Sequence, residues 1–274
     1  MRPVFIALCL LTFAGASRAE AARSAVALIW KGSKDKAEAE AQKATWGPLE
    51  GLLEKTGLLL PEGHPRLVQS RTVPGLKPGF WVWLLGTCSP GDAPPLLERF
   101  QRLAPGTYGR EVKVPGKTLA CPKQEGPPVE ARDELLKLPS GATLRVFTRE
   151  EPASEDVEDE DSEGAWDRSS QTRYHFVLFG KSGDVVDRVD VVGDETVDKG
   201  DPARGPTSYR CDVTGIEASG DTALVLTRHC SAGGSGECGA LVSADEVITV
   251  KVQPDRSVSA SEAKRQNAEY GECG

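Results

Sequence analysis

Apolar and polar positions along this chain follow two different rhythms, and the change falls near its middle. Ala25 to Trp30 is a short apolar run suited to a strand. From Ser33 to Gly57 the chain is rich in helix formers such as Glu38, Glu40 and Lys43. Ser33 stands as a candidate N-cap, Gly57 as a stop, and Pro48 divides the stretch into two helical pieces. Arg66 to Val73 predicts a strand, followed by a turn at Pro74 to Gly79. Phe80 to Cys88 is a run of aromatic and branched residues with strong β preference. Leu96, Leu97, Phe100 and Leu103 recur at helical spacing, and Tyr108 to Val114 alternates as a strand does. The predicted order is β-α-β-β-α-β, the split βαβ pattern. Two right-handed crossovers then place both helices on one face of a four-stranded sheet.

Beyond Leu135 the helical period fades. Thr143 to Thr148, Arg173 to Phe179, Val185 to Val192, Ser208 to Thr214, Ala223 to Arg228 and Val247 to Val252 are short β-type runs. Turn signals separate them, among them Lys181-Ser182-Gly183-Asp184, Ala218-Ser219-Gly220-Asp221 and Pro254-Asp255. Ser259 to Tyr270 has the spacing of one short helix. The fold class expected is therefore α+β. A split β-α-β-β-α-β domain (24–121) is joined by a Pro127-Pro128 linker (122–134) to a mainly antiparallel β domain of about six strands (135–274), a sandwich or a meander.

The start of the chain bears on its destination. Arg2 precedes an apolar run from Val4 to Phe13, and the small residues Ala14, Gly15, Ala16, Ser17 and Ala19 follow. That is the order of a secretory signal, here residues 1–19. The run is too short to span a bilayer, and no later segment is long and apolar enough. Periplasmic or extracellular residence is expected. Net charge is −8, and loss of Arg2 and Arg18 with the leader makes it two units more negative. A chain this acidic is repelled by nucleic acid and by anionic lipid.

Export changes the meaning of the cysteines. Cys9 leaves with the leader, and Cys88, Cys121, Cys211, Cys230, Cys238 and Cys273 remain, an even set that predicts disulfides. Cys88 and Cys121 form one pair. In the second half the spacing supports Cys230–Cys238 as a hairpin staple with Cys211–Cys273 tying down the C-terminus. The competing arrangement is Cys211–Cys230 with Cys238–Cys273.

Several residues in the first half match a known pattern. Val26-x-Leu28, Lys34-Asp35-Lys36-Ala37-Glu38-Ala39-Glu40 and Val73-Pro74-Gly75-Leu76-Lys77-Pro78-Gly79-Phe80-Trp81-Val82 together resemble a sporulation-related repeat (SPOR) domain over residues 24–114. Such domains have the β-α-β-β-α-β order and bind glycan strands of bacterial peptidoglycan. The chain departs from the pattern in Cys88 and Cys121, in the long first helix with Pro48, and in the enlarged loop from Pro61 to Pro65. The resemblance implies an exported, non-enzymatic envelope protein whose open sheet face binds peptidoglycan glycan. Trp81, Trp83 and Arg71 are the positions implied in that contact. The alternation supports it: Phe80, Val82 and Leu84 share one strand face and Trp81 and Trp83 the other. If the helices cover the Phe80 face, both indoles lie on the open side as an aromatic platform. The alternative is that the linker or the β domain buries them, leaving a structural or protein-interaction module without glycan binding.

Other chemistry is weighed and set lower. Nine of the fourteen positions from Glu150 to Glu163 are acidic. Such oxygens suit calcium, but the run lacks EF-hand spacing and reads as a solvated loop. His229, Cys230 and Cys238 suggest zinc only if the thiols stay reduced. Gly233-Gly234-Ser235-Gly236-Glu237 is not a nucleophile elbow, which leaves a hydrolase with an unrecognised site in the β domain as the weakest reading. No phosphate loop is present. No metal and no cofactor is expected, and the partner expected is peptidoglycan glycan or an envelope protein.

Overall fold

The computed structural model describes residues 22–114, 119–157, 166–201, 205–233 and 239–272. The leader and Cys9, the acidic stretch 158–163, and Cys238 and Cys273 lie outside them.

In the first half the elements run β1 (Arg23–Ser33), α1 (Lys36–Ala41), α2 (Trp46–Lys55), β2 (Leu58–Leu59), β3 (Arg66–Gln69), β4 (Trp81–Cys88), α3 (Ala93–Leu103), β5 (Tyr108–Val114) and β6 (Lys123–Gln124). The cap of α1 is Asp35, whose side chain accepts from the Glu38 amide at 2.9 Å. Ser33, the expected cap, instead accepts from the Asp35 amide. The stretch does divide into two helices, joined by the 3-10 turn Gln42–Thr45, but the break precedes Pro48. Pro48 sits in the first turn of α2, where a missing N–H leaves no hydrogen bond unmade. Pro94 and Pro95 open α3 in the same way. The sheet runs β3-β4-β1-β5, every neighbour antiparallel.

The second half is β7 (Glu130–Lys137), β8 (Thr143–Glu150), β9 (Ser154–Val157), β10 (Trp166–Phe179), β11 (Val185–Asp201), β12 (Gly205–Ala218), β13 (Ala223–Gly233), β14 (Leu241–Val252), β15 (Val258–Ala260) and β16 (Lys264–Tyr270). They form one ten-stranded antiparallel sheet in the order β15-β14-β13-β12-β11-β10-β8-β7, with β16 on β14 and β9 on β10. Strict alternation along β14 shows why: Ala244, Glu246, Ile248, Val250 and Val252 face inward and the residues between them face out. Of these, Ile248, Val250 and Val252 join Leu144, Val146, Phe176, Leu178, Leu224 and Leu226 in a core on the concave side of a sheet that rolls up until β15 meets β11. The Val258 amide donates to Asp187 Oδ2 at 2.6 Å and ties β15 back to β11.

These strands overturn the α+β expectation. The molecule is mostly β, 56% strand against 15% helix. The reason is strand length: β10, β11 and β12 span 14, 17 and 14 residues, while the helices are of 6, 10 and 11 residues. The helix expected over Ser259 to Tyr270 is β15 and β16, recruited by the exposed edge of β14. Nor is the stretch 122–134 a free tether. β6 pairs with β2, Val129 is buried, and β7 begins at Glu130.

The two sheets share a core. Leu49, Leu52 and Leu53 of α2 and Leu96, Phe100 and Leu103 of α3 pack between Leu28, Trp30 and Leu85 of the small sheet and Phe147, Val177, Phe179 and Val185 on the convex side of the large one. The helices are thus a middle layer, covered on both sides.

Candidate functional site

The structure separates the residues expected to form the platform. Trp83 faces the helices, not the open side. It is 6% exposed, and its indole N–H donates to the Ala39 carbonyl at 2.7 Å. Trp81, on the same strand face, is half-buried, with Lys36 Nζ 5.3 Å from its ring centroid. Val82 and Leu84 take the opposite face. Alternation says which side chains travel together; it does not say which set the helices cover. Here Trp83 and Leu85 went under the helices, and Trp81 is left half-buried at the end of the strand. Arg71 is exposed on the 3-10 turn Ser70–Thr72, and its Nε donates to Gln69 Oε1 at 2.7 Å. Gln69 stands opposite Trp81 in the β3–β4 ladder, so Arg71 lies at the Trp81 end of that ladder.

The other face of the small sheet is covered too. The chain between β3 and β4 runs from one sheet edge across to the other. There the Lys113 amide of β5 donates to the Pro74 carbonyl at 2.7 Å. Val73, Leu76 and Phe80 pack on Ala25, Ala27, Ile29, Val82, Leu84 and Val112. Gly75 makes the crossing: its φ is +107°, and a Cβ there would sit 2.9 Å from the Glu111 carbonyl oxygen and the Val112 Cα. The Pro- and Gly-rich segment that signals a turn in the sequence is a strap.

Among the described residues two disulfides are formed, Cys88–Cys121 and Cys211–Cys230. The second corrects the preferred pairing. Cys211 on β12 lies directly across from Cys230 on β13, with Cα atoms 4.0 Å apart, so the ladder itself presents the sulfurs to each other. The partners expected instead, Cys273 and Cys238, lie outside the described residues. Glu246 stands near this pair. Sulfurs locked in a disulfide are not thiolates, so the trio is not a metal site. Two disulfides suit an oxidising compartment. No helix among the described residues is long and apolar enough to cross a membrane.

Buried polar chemistry concentrates in the large sheet. Arg228 of β13 donates through Nη2 to Glu246 Oε2 at 2.7 Å and through Nη1 to the Val192 and Gly193 carbonyls. Arg265 of β16 reaches the other carboxylate oxygen at 3.1 Å. Burial pushes the Glu246 carboxyl upward, but bonds from the two guanidiniums outweigh it and hold the group below its usual value. On the convex side His175, fully buried, lies with Nδ1 2.8 Å from Asp190 Oδ1 beneath α2. Burial raises the Asp190 pKa, and the His175 bond and nearby cations bring it below normal. The Arg188 guanidinium lies against Gly51 of α2, 3.4 Å from where a Cβ would stand.

The acidic run is less free than its composition suggests. Glu151 accepts from Arg173 Nε at 2.6 Å, and this bond chiefly lowers its pKa. Residues 154–157 form β9. Glu150 and Glu151 line one cleft with Asp194, Glu195 and Asp212. Asp194 is itself held by the Tyr174 hydroxyl and the Val213 amide.

A larger cleft, of about 830 Å³, opens at one end of the rolled sheet. Ala44, Thr45 and Pro48 of the helical layer form one wall. The β7–β8, β10–β11 and β14–β15 turns form the other, contributing Ser140, Lys181 and Arg256. Sequence reasoning saw these residues only as parts of separate turns. The signal for a shared site is three-dimensional: antiparallel strands return every second turn to the same end. Compared with known proteins, the chain matches no family model, no curated protein and no solved structure.

Proposed function

We propose that this is an exported, non-enzymatic protein-interaction module of the cell envelope, in which the small sheet is a scaffold and not a glycan platform. The observation that carries this reading is that both faces of that sheet are occupied. The helices and the large sheet cover one, and the strap of Val73, Leu76 and Phe80 covers the other. A sugar strand needs a flat aromatic surface open to solvent, and Trp83 is hydrogen-bonded inside. Two disulfides support a working place outside the cytosol, and the leader-like start supports delivery there.

The test is a pull-down of the mature full chain on purified peptidoglycan. Clean flow-through is the expected result. Retention that disappears in Trp81→Ala or Arg71→Ala, with the fold intact by circular dichroism, would return the SPOR-like reading to first place.

A further inference from the structure

We propose that the large sheet divides at a fork into a closed base and an arm, and that the arm opens while the base stays shut. This inference is independent of the envelope role proposed above. β11 and β12 pair from Glu195–Cys211 to Asp201–Gly205, although β11 begins at Val185 and β12 runs on to Ala218. On the base side of Glu195 and Cys211 the two strands part, and β15 comes against β11 instead. Both strands bulge at the fork. Gly193 and Asp194 of β11 stand against the single residue Thr172 of β10, and Thr214 of β12 has no counterpart on β13. Side chains take over where the main-chain ladder stops. The Val213 amide donates to Asp194 Oδ1 at 2.7 Å, and the Tyr174 hydroxyl holds the other carboxylate oxygen. The Val192 and Gly193 carbonyls accept from Arg228 Nη1 at 3.1 and 3.2 Å, and Glu246 fixes Arg228 from behind. Cys211, in the last rung of the arm, is fastened to β13 by its disulfide. A fork leaves main-chain groups without ladder partners, and those away from water must be satisfied. A carboxylate and a guanidinium do so here, and they mark where opening stops.

The two sides of the fork differ in what holds them. Phe176, Val191, Ile216, Leu226 and Ile248 carry their strands into the core of the base. In the arm, over 167–171, 195–200 and 207–210, no described side chain is buried, and none belongs to an apolar cluster of the large sheet. Val197 and Tyr209 face each other across the β11–β12 ladder and are only half-buried. Main-chain bonds with little apolar area behind them open at small free energy, whereas strands in a core open only as the whole molecule does.

Native-state hydrogen exchange of the mature full chain, read amide by amide by NMR, tests this. Ladder-bonded amides over 196–200 and 207–210 are expected to exchange on the order of a hundredfold faster than those of β13 from Leu224 to Thr227. Their rates should also change little in sub-denaturing urea, because so small an opening exposes little surface. The Val213 amide is expected in the slow set. Asp194→Ala removes its acceptor and should move it to the fast set, while Asp194→Asn keeps an oxygen there and should leave it slow. Arm and base amides that share one rate and one urea dependence overturn the proposal, and the wild type alone decides this even where Asp194→Ala does not fold. A Val213 amide that stays slow in folded Asp194→Ala overturns it as well.

Discussion

Glu246 is 4% exposed and carries charge, and at this scale the decisive fact is its company. Read along the chain, Arg228 and Glu246 look like surface charges that have strayed into inward-facing positions of two strands. Register explains them: Arg228 stands opposite Glu246 in the β13–β14 ladder. Removing one partner of such a pair leaves a buried charge without compensation, so Glu246→Gln is expected to cost about 3 kcal/mol in urea unfolding. The pH dependence follows from the direction of the shift. The carboxyl is held lower in the folded protein than in the unfolded chain. Its contribution is therefore complete above the unfolded value of 4.5 and is lost as pH falls through the folded value. The wild type should lose stability below that point more steeply than Glu246→Gln, and parallel acid limbs would refute the account. Trp83 makes the same point about neighbours. Its indole N–H has a carbonyl partner 44 residues away in sequence, which no periodicity reveals.

Among the elements, the strap between β3 and β4 differs most from its appearance in the sequence. Pro74, Gly75, Pro78 and Gly79 announce a turn, and the backbone does turn. What it also does is carry Val73, Leu76 and Phe80 across a sheet face. Gly75 is the narrow point, since an added Cβ meets backbone on β5 at 2.9 Å and φ is +107°. Gly75→Ala is expected to destabilise by about 2 kcal/mol. It should also speed amide exchange at Lys113, whose bond to Pro74 anchors the strap. Unchanged exchange there would mean that the strap is not held at this point. The strands themselves were legible: the run ending at Cys88 and the alternation over Tyr108 to Val114 coincide with β4 and β5. The helical spacing over Ser259 to Tyr270 misled, because the vacant edge of β14 offers main-chain bonds that local preference does not weigh.

For the molecule as a whole, one core decides the behaviour. Leu52, Phe100, Phe147 and Phe179 belong to the same packed cluster although they come from both halves. The halves are therefore expected to unfold together, as a single calorimetric transition. Two resolved transitions would show that the middle layer does not couple the sheets. Each disulfide closes a short loop, with sequence separations of 33 and 19. Reduction should lower stability by about 3–4 kcal/mol per bridge on the loop-entropy account.

The residues alone determined the acid balance, the positions of most strands, and the presence of cross-linkable cysteines. They did so because composition and period-2 alternation are local properties. Folding in three dimensions decided which strand face met the helices, that Cys211 took Cys230, and that three distant turns closed round one cleft. Alternation is symmetric between the two sides of a strand. Only packing against the rest of the molecule breaks that symmetry.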